Sequence, residues 1–129
     1  SKLNIKNINT TNIFTLVDLS ISTSKIKNDI NFTKNYDPSI PEFKLDASSF
    51  IKTLNSVFDA FKDKENVSCS ILLKIGEYIK IDNKKYSLIS VEIASNEKSD
   101  FSSLNIKETN SFILTSDDTK ITIDLPLIL

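Results

Sequence analysis

The chain has 129 residues, with 16 Lys or Arg against 17 Asp or Glu and a formal net charge of −1; that length suits one domain, and that balance gives no global field to gather nucleic acid or an anionic membrane. His, Arg, Trp, Met and Gln are absent, and Cys69 and Gly76 are the sole residues of their types. These absences exclude Ser-His-Asp and Cys-His catalysis within the chain, an internal disulfide, a Cys/His zinc site, and the glycine-rich phosphate turns of Rossmann and P-loop folds.

Strands are predicted over about 3–32. Leu3-Asn4-Ile5-Lys6 alternates, Val17-Asp18-Leu19-Ser20-Ile21-Ser22 alternates after Phe14 and Leu16, and Ile26, Ile30 and Phe32 share one parity with Asn28. Asn9-Thr10-Thr11-Asn12 and Ser22-Thr23-Ser24-Lys25 are polar enough to turn the chain between them. A crossing loop over 35–42 follows, because Pro38 and Pro41 remove donors and push their predecessors out of helical geometry. The spacing next predicts a helix over 47–61: Asp46 caps it, Phe50, Ile51, Leu54, Val57, Phe58 and Phe61 fall on one face, and Lys52, Asn55, Asp59 and Lys62 fall opposite.

Strands return over about 67–125. Val67, Cys69, Ile71, Leu73 and Ile75 alternate, Gly76-Glu77 turns the chain, and runs at 78–81 and 86–93 flank Asp82-Asn83-Lys84-Lys85 as a meander. A polar loop at 96–103 leads to short strands at 104–107, 112–115 and 121–125, the last two joined through Ser116-Asp117-Asp118-Thr119. The pattern implies a sheet-dominant α+β fold for the single domain 1–129, either an antiparallel β-sandwich or a strongly curved sheet with one amphipathic helix packed on it.

Two sets of side chains are candidates for contact. Leu125, Leu127, Ile128 and Leu129 would fray into water unless packed or offered to a partner, and with Tyr36 and Ile40 of the crossing loop they form the candidate partner-binding set. Lys74, Lys80, Lys84 and Lys85, with Tyr86 and Tyr78, form the candidate nucleic-acid contact, although Glu77, Asp82 and Glu92 interrupt it and lysines on strand edges also discourage unwanted pairing. Cys69 has an apolar parity and no His or Arg to depress its pKa, so it reads as a buried structural thiol. Asp59, Asp63, Glu65, Asp117 and Asp118 match no calcium-loop spacing and lack the glycine such a loop requires. No metal or cofactor is expected.

Phe43-Lys44-Leu45-Asp46, the helix through Leu54 and Val57, and Ile71-Leu72-Leu73-Lys74 before Gly76-Glu77-Tyr78-Ile79-Lys80-Ile81 resemble one repeat of a DNA sliding clamp over less than half of the chain. A clamp repeat carries two helices with basic faces, whereas the pattern here gives one helix of mixed charge, so the clamp is not the reading adopted. Missing catalytic equipment, edge-capable strands and an apolar terminus point instead to a non-enzymatic interaction or structural module of a larger assembly, docking by strand addition or through residues 125–129. A component of a phage particle or other mobile element is the expected setting, since a Lys-, Ile- and Asn-rich chain without Arg fits an AT-rich gene. A nucleic-acid accessory protein and a small inhibitor or immunity protein are the alternatives. A protein partner or self-assembly is expected. No apolar run reaches the roughly 18 to 20 residues of a membrane span, and Ser1-Lys2-Leu3-Asn4 opens without the apolar core of a signal peptide, so the expected location is cytoplasmic or virion-associated with no membrane partner.

Overall fold

The computed structural model describes residues 8–26, 30–101 and 112–129. Along the chain these form β1 (Asn9–Thr11), α1 (Ile13–Thr23), β2 (Asn31–Tyr36), β3 (Phe43–Leu45), α2 (Ala47–Asp59), β4 (Asn66–Ile81), β5 (Lys84–Ala94), β6 (Ile113–Ser116) and β7 (Lys120–Pro126). Strand alternation builds the main sheet. Cys69 pairs with Ile93 and Ile93 with Ile121; Ile71 pairs with Val91 and Val91 with Ile123; Leu73 pairs with Ile89 and Ile89 with Leu125. All of these but the half-buried Leu73 are buried, so three registered rows make one continuous apolar face. Each such side chain contributes about 1.5–3 kcal/mol by leaving water.

The five strands run in the order β2-β4-β5-β7-β6, with β2 parallel to β4 and the other neighbours antiparallel. Both helices belong to the core on the apolar face, α1 through Ile13, Leu16 and Val17 and α2 through Phe50, Leu54, Val57 and Phe58. The alternate parity carries Ser68, Ser70, Ser90, Glu92, Thr122 and Asp124, joined by a Ser90–Asp124 hydrogen bond of 2.7 Å and a Lys120–Glu92 ion pair of 3.2 Å. β1 and β3 pair separately as a two-stranded ribbon.

The α+β, sheet-dominant expectation holds, but the second layer is helical, so this is not a β-sandwich, and two helices rather than one cover the sheet. The segment 13–23, expected as strand, is α1. Its buried set, Ile13, Leu16, Val17 and Ser20, follows the i, i+3, i+4, i+7 spacing of a helix, and the Asn12 carboxamide caps it by accepting the Phe14 and Thr15 amides at 3.0 and 3.2 Å. Residues 9–11, expected as turn, pair with β3, and β2 runs on through Tyr36 into the expected crossing loop. A parallel β2–β4 pair needs a long crossover, which β3 and α2 supply.

Gly76 does not reverse the chain. It sits at φ +84 within the continuous strand β4, where the register with β5 shifts. The reversal comes at Asp82 and Asn83, whose φ of 50 and 68 form the two-residue hairpin turn that suits the twist of the flanking strands. The strands expected at 3–6 and 104–107 fall outside the described residues.

Candidate functional site

The C-terminal ends of α1 and α2, the starts of β2 and β4, the end of β5 and the β6–β7 turn meet at one end of the sheet. The Asn31 amide donates to the Glu65 carbonyl at 3.0 Å and the Ser95 amide to the Thr119 carbonyl at 3.0 Å. Asn55 and Asp59 stand one turn apart on α2 and hold the end of α1: Asn55 Oδ1 accepts the Thr23 hydroxyl at 3.3 Å, and Asp59 Oδ1 accepts the Lys25 amide at 2.9 Å.

Residues 95–101, which leave β5, lie across this end as a strap. Asn66 Oδ1 accepts both the Ser95 hydroxyl at 3.3 Å and the Asn96 amide at 3.0 Å, and Glu97 Oε2 accepts the Glu65 amide at 2.9 Å. Lys64 Nζ donates to the Lys98 carbonyl at 3.3 Å, the Ser99 amide donates to the Asp118 carbonyl at 2.7 Å, and Lys98 pairs with Asp118 at 3.8 Å. Phe101 packs on Phe61 with ring centroids 5.2 Å apart. Asp117, in the adjoining turn, is held below the usual carboxylate range, chiefly by the Thr119 amide and further by the Lys120 amide and the Thr119 hydroxyl.

A second polar cluster lies where α1 crosses the edge strand β2. Asp18 Oδ1 accepts Lys34 Nζ at 2.9 Å and the Tyr36 hydroxyl at 2.8 Å, and Phe14 stacks on Tyr36 at 5.5 Å with planes 10° apart. Burial, then the hydrogen bond to Asp18, raises the Tyr36 phenol above its usual range. Among the described residues no group of three acidic, Cys or His side chains is placed to hold a metal ion.

The residues singled out from sequence have separate fates. Leu125, Ile128 and Ile40 are buried within the chain's own structure; Leu127 is half-buried and donates its amide to the Ser87 carbonyl at 2.8 Å; Leu129 alone of the terminal set is exposed, at 76%. Tyr36 belongs to the Asp18 cluster. Lys74, Lys80, Lys84 and Lys85 do share the β4–β5 hairpin, with Lys80 opposite Lys85, but Tyr86 packs half-buried against Ile79, Ile81 and Leu88, and the exposed ring there is Tyr78. A cleft bordered by Leu45, Phe50, Phe112, Leu125 and Ile128 holds about 10 Å³, room for about one water. Nothing local in the sequence marks the strap, because its partners lie 29 to 34 residues away.

A mixed five-stranded sheet with both helices on one face defines, among the described residues, a two-layer α+β domain, and solved structures similar to it include histidine kinases. The histidine kinase AdeS of Acinetobacter baumannii is similar over 98% of this chain and 69% of its own, at 9% identity and a TM-score of 0.62. The mycobacterial sensor histidine kinase MprB matches over 93% and 97% of the two chains at 12% identity and 0.57, and the histidine kinase domain of the E. coli osmosensor EnvZ over 100% and 93% at 10% identity and 0.54. No family model and no curated protein matches the sequence.

At such identities the likeness is one of fold, and it overturns the expectation of a non-enzymatic structural module of a phage or virion, together with the nucleic-acid and inhibitor alternatives. The fold is similar to that of these histidine kinase domains, and the sliding-clamp resemblance finds no counterpart among those solved structures. The scarcity of glycine excludes Rossmann and P-loop phosphate turns but does not bear on this layered sheet, which is neither fold. Among the described residues no helix is long and apolar enough to cross a membrane.

Proposed function

We propose that the chain is a kinase-type domain that takes part in phosphoryl transfer to a histidine lying outside this sequence. The observation that carries this reading is coverage in both directions: the likeness to MprB takes in 93% of this chain and 97% of the other, so a whole domain of that kind is matched rather than a shared motif. A histidine kinase needs an imidazole acceptor, and this sequence has 0 His. The acceptor therefore belongs to another segment or another chain, and reaching it is a protein–protein contact.

The cleft bordered by Phe50 and Leu125 holds about 10 Å³, far below the roughly 300–1,000 Å³ of a ligand pocket, so that cleft does not admit a nucleoside triphosphate, and the one glycine lies in the hairpin at the far end of β4. Admission at the strapped end requires residues 95–101 to lift, which breaks the side-chain hydrogen bonds to Asn66 and Glu65 and the Ser95–Thr119 and Ser99–Asp118 backbone bonds while leaving the paired strands β4 and β5 in register.

Calorimetric titration with Mg²⁺-ATP tests the reading. Saturable binding with a dissociation constant of about 1 μM to 1 mM, the usual range for enzyme substrates, is the expected result. Absence of binding both to the wild-type chain and to an Asn66→Ala variant whose strap is shown to be open by fast exchange of the Asn96 amide would overturn it.

A further inference from the structure

The β4–β5 hairpin carries a surface that the kinase reading does not use. Lys74 pairs with Leu88 and Tyr78 pairs with Ser87, so residues 75–77 have no partner across the ladder. On its other side β4 pairs with β2 only as far as Ile71. Gly76 permits the excursion at φ +84, in open space. The result places Ile75 in solvent at 93% exposure, close along the strand to Tyr78 at 59%, with Lys85 Nζ 5.6 Å from the centre of the Tyr78 ring.

This bulge is not needed to reverse the chain, because Asp82 and Asn83 do so further on. Bulges re-aim side chains, and this one aims an isoleucine away from every apolar neighbour. Charge singles out the same place. Residues 74–85 hold four lysines, Lys74, Lys80, Lys84 and Lys85, against Glu77 and Asp82, a surplus of two positive charges; with −1 for the chain as a whole, the remainder carries −3.

We propose that this hairpin is a docking surface for a protein partner presenting an apolar pocket rimmed by carboxylates, with Ile75 and Tyr78 as the anchors and the lysines set against the rim. An acidic partner is drawn to the hairpin and repelled by the rest of the chain, which orients the encounter. Glu77 and Asp82 favour a protein over nucleic acid or a lipid surface. A uniformly anionic surface repels both carboxylates at the point of closest approach, while a protein of patterned charge accommodates them. The inference stands apart from the kinase reading, since the bulge lies at the opposite end of β4 from the strap.

A photo-crosslinking side chain at position 75 of the full chain, expressed in its native cell, identifies the protein it touches; that protein is then purified and titrated against the wild type, Ile75→Asp and the double variant Lys84→Glu/Lys85→Glu. The expected result is a loss of affinity of about tenfold or more for Ile75→Asp, the scale of an interface anchor. A weaker loss for the lysine variant, a fall in affinity with added salt and unchanged melting temperatures for all three chains complete the expectation. Equal affinity for wild type and Ile75→Asp would overturn the proposal, as would crosslinks to no protein. Sedimentation of the wild-type chain with vesicles of equal parts phosphatidylserine and phosphatidylcholine, lost in Ile75→Asp, would assign the surface to a membrane instead and equally overturn it.

Discussion

Cys69 has none of its surface in water and stands in the row that continues through Ile93 and Ile121. Burial pushes its thiol up to about 12, and the nearby Lys34 ammonium, which pulls the other way, does not offset that cost. Since the thiolate is the reactive species, the side chain is a neutral packing group at pH 7. A thiol-specific reagent should therefore leave the native chain unmodified and take up one equivalent when denaturant exposes Cys69. Rapid labelling in native buffer would show instead that the layer packed on the apolar face opens and uncovers the thiol. This role was legible from parity: Val67, Cys69 and Ile71 alternate on one face, and the chain has no His or Arg to depress the thiol.

Helix starts show what local chemistry decides. Asp46 Oδ1 accepts the Ser49 amide at 3.2 Å and Oδ2 accepts the Ser49 hydroxyl at 3.0 Å, so Asp46→Ala removes the acceptor for an otherwise unpaired amide of the first turn. Loss of about 1 kcal/mol in urea unfolding is expected; an unchanged midpoint would mean that water satisfies this turn as well as the carboxylate does. The helix α2 was legible because its cap and its apolar stripe agree, Phe50, Leu54, Val57 and Phe58 being buried as spaced. In α1 two periods compete. Val17, Leu19 and Ile21 satisfy alternation, yet the side chains that are buried include Ser20 and leave Leu19 at 48% exposure. A polar residue inside and an apolar one outside hide the helical stripe from a hydropathy reading. The sequence at Gly76 suits a turn as well as a bulge for a related reason: a single glycine permits either, and only the pairing of Tyr78 with Ser87 decides. The parallel β2–β4 pair depends on a crossover between segments distant in sequence, which no local pattern encodes.

At the scale of the molecule the two ends of β4 are held by different forces. The hairpin end is bound by strand pairing and the small apolar group of Ile79, Ile81 and Leu88, whereas the strapped end relies on polar side chains reaching across the chain. Asn66 carries two of those bonds at once, since one carboxamide oxygen receives both Ser95 and Asn96. Its replacement by Ala keeps the backbone pairing of β4 with β2 and removes that acceptor. Asn96 is exposed, so its amide loses only the net worth of one hydrogen bond, about 0.5–1.5 kcal/mol, and its exchange should accelerate about two- to tenfold while the amides of Cys69, Ile71 and Val91 keep their protection. If the closed strap also opposes nucleotide, the apparent dissociation constant for Mg²⁺-ATP should fall with it, because affinity is reduced by the fraction of molecules in the closed form. Faster exchange with no gain in affinity would separate the two, leaving the strap as a loosely held segment whose opening does not govern binding. Unchanged exchange would show that the Ser95–Thr119 and Ser99–Asp118 backbone bonds hold these residues without help from Asn66.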